Sequence, residues 1–152
     1  MGKQPTTAKK SKKKLWTGIA IAIIIIAVIV VIIMLPQRTD LANGGTVKSV
    51  SGGEYLVVEF NASSPGTIYG SVNTSNGIIF YLMNPGQYSS FVTNGSPSGY
   101  EYTTGDISSG SFNTNMGSGT WYAIFYNPHL LFSTTVTVDN LYWVSSSPLS
   151  SV

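Results

Sequence analysis

Residues 119–127 read Gly-Thr-Trp-Tyr-Ala-Ile-Phe-Tyr-Asn and run into Pro128. Aromatic and β-branched residues crowd Thr120–Tyr126, and such side chains suit a pleated, half-buried surface. Trp121, Ala123 and Phe125 fall on one face by the two-residue period of a strand. Asn127-Pro128 ends the run, because proline has no N–H to give to a ladder. This segment predicts a strand, and the chain around it repeats the pattern.

Upstream, Glu54–Phe60 alternates Leu56, Val58 and Phe60 against Tyr55, Val57 and Glu59, as a partly buried strand does. Ser63-Ser64-Pro65-Gly66 is turn chemistry, followed by a second strand over Thr67–Val72. Asn73-Thr74-Ser75-Asn76-Gly77 predicts a reversal, since Asn-Gly supplies the positive backbone angles of a hairpin turn. A third strand, Ile78–Met83, stops at Asn84-Pro85-Gly86. Tyr88–Val92 fits a short strand or a helical turn, and Thr93–Ser98 reads as a loop. Tyr100–Thr103 and Ile107–Phe112 read as two further strands, and Met116–Gly119 turns the chain into the opening segment. The last strand, Thr134–Val144, points Val136 and Val138 inward, with a bulge or turn at Asp139-Asn140. Seven or eight short strands, regular turn signals and no amphipathic helix predict an all-β chain, an antiparallel β-sandwich. Its expected core is Phe60, Ile78, Phe80, Leu82, Trp121, Ala123 and Phe125.

The N-terminal part obeys a different solvent. Leu15–Leu35 is 21 residues without a charge, 14 of them Leu, Ile or Val. A helix of that length reaches roughly 31 Å, the thickness of a hydrocarbon core. Those 14 side chains favour insertion by about 4 to 8 kcal/mol. A transmembrane helix is therefore expected over 15–35. Six lysines and no acid lie in residues 1–14, whereas the chain from residue 36 carries Arg38 and Lys48 against six acids. The positive-inside rule puts that lysine tail in the cytoplasm and the rest outside. The tail is read as a topology determinant touching anionic lipid rather than as a nucleic-acid site. The apolar core is longer than the 7–15 residues of a cleaved signal, so a retained signal anchor is expected. A pilin-like leader cut near Ser11 or Gly18 is the competing reading. The expected organisation is a tail over 1–14, a span over 15–35, a spacer and first strand over 36–53, a β ectodomain over 54–145 and a C-terminal tail over 146–152.

Gly77–Asn84, Gln87-Tyr88, Ser109–Phe112 and Gly119–Asn127 together resemble GOLD-type and pre-peptidase C-terminal-type β-sandwich domains, over roughly residues 45–144. Similar domains occur in membrane-anchored archaeal surface proteins. The resemblance implies a jelly-roll-like sandwich with a binding, adhesive or accessory role and no active site of its own. No counterpart of the C-terminal membrane helix of the eukaryotic GOLD cargo proteins is expected, so a cargo-receptor role is not.

Chemistry is sparse. With no cysteine among 152 residues and 9% charged side chains, disulfide frameworks, Cys-ligated metals and c-type haem are excluded. His129 is the only histidine and follows Pro128, as a surface or turn residue does; no serine has a second histidine to activate it. Glu101 and Asp106 flank a short hairpin and are read as solvated turn residues rather than calcium ligands. A glycosidase would need two facing carboxylates, such as Glu101 with Glu59 or Asp106. No catalytic, cofactor or metal site is assigned. Tyr69, Tyr81, Tyr100, Tyr102, Tyr122 and Tyr126 are read first as covering core edges. Tyr100, Tyr102, Tyr122 and Tyr126 are the candidates to face a sugar or protein ligand if they stand exposed together. Sequons at Asn61, Asn73 and Asn94 are candidate glycosylation sites, expected in loops or at strand ends. The expectation is a single-pass glycoprotein displaying a noncatalytic β domain at the cell surface, with a filament subunit or a small carbohydrate-active enzyme as alternatives.

Overall fold

The computed structural model describes residues 38–146. The lysine tail, the uncharged run 15–35 and residues 147–152 lie outside the described residues. Among the described residues no helix is long and apolar enough to cross a membrane.

The described residues are mostly antiparallel β with one helix, an all-β sandwich or barrel-like fold. Six strands, β1 (Arg38–Val50), β2 (Tyr55–Ala62), β3 (Gly66–Met83), β4 (Tyr102–Met116), β5 (Gly119–Tyr126) and β6 (Thr134–Ser145), accompany one helix, α1 (Pro85–Asn94). The order along the sheet is β1-β6-β3-β5-β2, with β4 on the other side of β3. β3 is the organiser. One of its edges holds β4 along most of its length, while the other holds β6 from Gly66 to Thr74 and β5 from Ile79 to Met83.

That change of neighbour requires β3 to fold over. Phe112 of β4 lies opposite Gly70 of β3, yet its ring stacks on Phe80 with centroids 4.0 Å apart. Ten residues of straight strand would separate Gly70 from Phe80 by about 33 Å. The bend lies at Thr74–Gly77, where four residues of β3 face only Ser108 of β4. Gly77 supplies it with φ +92°, and a side chain there would strike the Asp106 carboxylate. Polar side chains satisfy the interrupted ladder. The Thr74 hydroxyl, itself buried, donates to the Ser108 carbonyl and accepts from the Gly77 N–H, while Thr134 Oγ1 accepts from the Asn76 N–H.

The main core fills the space between the two halves of the fold. Phe60, Ile78, Phe80, Leu82, Ala123 and Phe125 are all buried there, joined by Ile68, Val72, Phe112, Val136, Val138 and Leu141, with Trp121 packed at the edge. A smaller cluster, Tyr81, Met83, Phe91 and Ile124, lies on the opposite face beneath α1. Phe80 and Leu82 alternate with Tyr81 and Met83, so this part of β3 is buried on both faces, as a strand covered by a helix must be.

Several sequence expectations are corrected. Within the segment 36–53, expected to hold a spacer and a first strand, β1 takes Arg38–Val50 and pairs with β6, with two register shifts. Asn73–Gly77 is not a hairpin, because the chain bends and continues in the same strand. Tyr102 and Thr103, from the first of two expected strands, and Ile107–Phe112, the second, belong to one strand, kinked at Gly105 with φ +71°. Tyr88–Val92 is helical, and Asn84-Pro85-Gly86-Gln87 starts that helix. The Asn84 side chain accepts from the Gln87 N–H, Gln87 Oε1 accepts from the Asn84 N–H, and Pro85 sits in the first turn; this is a capping box with proline where its missing N–H costs nothing. The bulge near Asp139 is present, since β6 skips that residue between its pairs with Ser71 and Val72.

Candidate interaction surface

Glu101 and Asp106, read from the sequence as solvated turn residues, are both exposed. Glu101 accepts hydrogen bonds from Gln87 Nε2 at 3.0 Å and Asn84 Nδ2 at 3.3 Å, which ties its carboxylate to the start of α1. Asp106 turns elsewhere: its Oδ2 lies 3.1 Å from His129 Nε2, an ion pair whenever the imidazole is protonated. The approach is not an aligned hydrogen bond, and among the described residues the buried Nε2 has no hydrogen-bond partner. Glu101 and Asp106 therefore serve different neighbours, and Glu59 stands exposed on β2. Among the described residues no three His, Asp or Glu side chains converge.

The four candidate tyrosines do not form one surface. Tyr102 packs against the main core, near Phe80 and Phe112. Tyr122 and Tyr126 lie on the opposite face with the cluster under α1. Tyr88 from α1 stacks on Tyr122 with centroids 4.1 Å apart, and Phe91 meets the edges of Tyr55 and Tyr126. Tyr100 is the most open of the four, 47% exposed, and leans on Tyr81. Aromatic rings thus glue the helix to the sheet.

Burial pushes the Tyr88 phenol up to about 12, helped by its hydrogen bond with Tyr55 and by the charges of Tyr55, Tyr122 and Glu59. Burial also raises Tyr81, with Tyr100 and Tyr126 adding to it. The unfolded phenols lose their protons near pH 10. Between there and about pH 12 the unfolded chain holds fewer protons than the folded one, so stability falls with rising pH. Alkaline titration followed by tyrosinate absorbance is expected to show late-ionising phenols in the wild type and one fewer in Tyr88→Phe. A titration superimposable on that of the unfolded chain contradicts the packed helix face.

The sequons are all exposed. Asn94 closes α1, Asn61 lies near the end of β2, and Asn73 sits within β3 between Ser109 and Thr137. The last is a mid-strand position, not the expected loop.

The surface that sequence reasoning missed is the β5–β6 connection. Leu130, Leu131 and Phe132 are 74%, 88% and 63% exposed, three consecutive large apolar side chains turned to solvent. Their backbone is firmly held. The Phe132 N–H donates to the His129 carbonyl at 3.1 Å, closing a tight turn. Asn127, fully buried, braces the turn from below: its Nδ2 donates to the Val50 and Phe132 carbonyls at 3.0 and 2.7 Å, and its Oδ1 accepts from the His129 N–H at 3.0 Å. Its backbone exchanges two further bonds with Gly53 and Glu54. Gly52 lets the turn approach, since a β-carbon there would lie 2.3 Å from the Leu130 carbonyl oxygen. Leu-Leu-Phe after Asn-Pro-His is visible in the sequence; its exposure is not, because an apolar triplet ordinarily signals core.

The turn sits beside Val50, at the opposite end of β1 from Arg38. At the Arg38 end the outer face carries a different constellation. Arg38 lies 3.7 Å above the Tyr142 ring and pairs with Asp40 at 2.7 Å, while Tyr142 stacks on Tyr69.

Comparison with known proteins returned no matching family model and no matching curated protein. Among solved structures, the chain is similar to the pre-peptidase C-terminal domain of a collagenase from Bacillus anthracis, at 20% identity and a TM-score of 0.43, over 68% of this chain and 87% of that one. It is similar also to the Yersinia pseudotuberculosis-derived mitogen, at 13% identity and a TM-score of 0.44, over 75% and 89%. Both are likenesses of chain path and no more.

Proposed function

We propose that this chain is a single-pass membrane protein, N-terminus inside, whose outward β domain makes noncatalytic contacts with another envelope protein. The observation that carries this reading is the rigid apolar turn Leu130–Phe132, held away from the point where the chain enters β1. A convex apolar tip on a braced turn has the character of an interface anchor, which fills a pocket at little cost in ordering. The uncharged run 15–35 supports the anchorage, since only Pro36 and Gln37 separate it from β1. The polar groups already engaged with one another support a role without catalysis. The resemblance to GOLD-type and archaeal surface domains, the jelly-roll-like arrangement and glycosylation at Asn94 belong to the same reading.

The triple variant Leu130→Ser, Leu131→Ser, Phe132→Ser tests it. Membranes of the producing cells, solubilised in mild detergent, are expected to hold wild-type chain in a larger native complex and the variant as free chain of unchanged thermal midpoint. Equal migration of the two contradicts the reading.

A further inference from the structure

The outer face of the sheet around β3 carries two rings that cover no core. Ile68, Leu141 and Trp143 point into the main core, so their strand neighbours Tyr69 and Tyr142 point away from it. The two tyrosines are paired in register, and their rings stack with centroids 5.2 Å apart and 15° between the planes. The Arg38 guanidinium, 3.7 Å from the Tyr142 centroid, closes the far side of that ring, and Asp40 answers its charge. A stack therefore crosses the sheet from β1 through β6 to β3, in steps close to the strand spacing of about 4.8 Å.

Tyr69 ends the stack. It is 36% exposed, and among the described residues no ring or cation lies on its second face. On that side stands β4, where Asn113 pairs with Tyr69, Ser111 with Ser71 and Asn115 with Thr67. All three β4 residues are exposed and shorter than tyrosine, so the surface steps down from a ring wall to a shelf one strand wide. The next place in the stack lies over this shelf. Its groups are largely unspent: Asn115 Oδ1 accepts from the Thr67 hydroxyl at 2.8 Å, which leaves the amide N–H groups. Among the described residues no side-chain hydrogen bond engages Asn113 or Ser111.

We propose that this shelf binds one pyranose ring of a neutral glycan, its C–H face on Tyr69 and its hydroxyls on Ser111, Asn113 and Asn115. A ring wall accepts many flat groups, so the edge groups select the occupant. Amides and hydroxyls both donate and accept, as sugar hydroxyls do. A cationic side chain only donates and wants a carboxylate, but Asp40 is held by Arg38 and Asp106 lies against His129. An anion finds no partner either, since β3, β4 and β6 carry neither lysine nor arginine. An aromatic side chain would take water from the shelf amides without replacing its hydrogen bonds. The site shares no residue with the apolar turn, nor with the four tyrosines that the sequence offers as ligand-facing.

The test is calorimetric titration of the full chain, in a polyoxyethylene detergent whose headgroup holds no sugar. The probes are cellohexaose, mannohexaose, chitohexaose and a galactan hexamer, with oligogalacturonate as the acidic comparison. At least one neutral hexamer is expected to bind, and more tightly than the acidic one. Tyr69→Ala is expected to weaken that binding about tenfold with its thermal midpoint kept, whereas Tyr69→Phe, which keeps the ring face, stays within about twofold. Asn113→Ala falls between them, and Tyr100→Ala, at an exposed tyrosine elsewhere, binds as wild type does. No binding of any neutral hexamer, or binding indifferent to Tyr69→Ala, overturns the proposal. Loss of the native membrane complex in Tyr69→Ala, without glycan binding by the wild type, makes the face a protein contact and overturns it too. Glycan binding needs no membrane, so failure of the anchored reading leaves this one standing.

Discussion

Asn127→Ala is expected to destabilise the β domain by about 3 to 5 kcal/mol, because three backbone groups lose their partner at once. The Val50 and Phe132 carbonyls and the His129 N–H all depend on this one amide. Each orphaned group costs roughly 1–3 kcal/mol, less where water enters from the turn side. A fall in thermal midpoint on the order of 10–20 °C follows for a domain of this size. Asn127→Asp keeps the size but sets a carboxylate against two carbonyl oxygens, so it is expected to be no better at neutral pH. Near-UV circular dichroism of the full chain in detergent reads both. A midpoint within 2 or 3 °C of wild type would mean that the apolar turn is not braced as described.

Phe80→Ala is expected to cost as much by another route. Phe80 is fully buried, and rings from two different strands close on it: Phe112 at 4.0 Å from β4 and Phe125 at 5.3 Å from β5. Its contact with Phe112 spans the bend in β3, so the ring joins the two halves of the fold rather than two neighbours in a ladder. Truncating a buried phenylalanine costs about 3–5 kcal/mol through lost transfer energy and the cavity left behind. Tyr69→Ala, on the outer face, is the control and is expected to cost about 1 kcal/mol or less. If the two variants melt alike, the folded-over course of β3 is wrong.

Much of the β architecture is legible from local pattern. The alternation in Glu54–Phe60 and Ile78–Met83 and the aromatic run to Tyr126 mark strands, and the seven-residue core expected from them lies together in the main cluster. What stays hidden is what tertiary pairing decides. β1 carries a polar Asn-Gly-Gly stretch and becomes a strand through its partner β6. Asn73–Gly77 has the chemistry of a hairpin turn, yet β4 and β6 hold the chain on either side, and the same residues make a bend instead. The capping box at Asn84–Gln87 is a local signal that reads equally as a turn until a surface for the helix to cover is known.

The candidate site was less legible than the fold. Sequence leaves open which tyrosines cover core edges and which stand exposed together; α1 covers Tyr122, while Tyr102 faces the main core. The exposure of the apolar turn depends on what lies next to it in space, which no window of sequence contains.

The claim on which the rest depends is an outward β domain on a retained N-terminal anchor. Single cysteines replacing Thr7 and Ser146 in this cysteine-free chain, probed on intact cells with a membrane-impermeant thiol reagent, measure it directly. Labelling at position 146 alone, with position 7 reacting only after lysis, is the expected result. Labelling at position 7 in intact cells, or protection of position 146 until lysis, contradicts it.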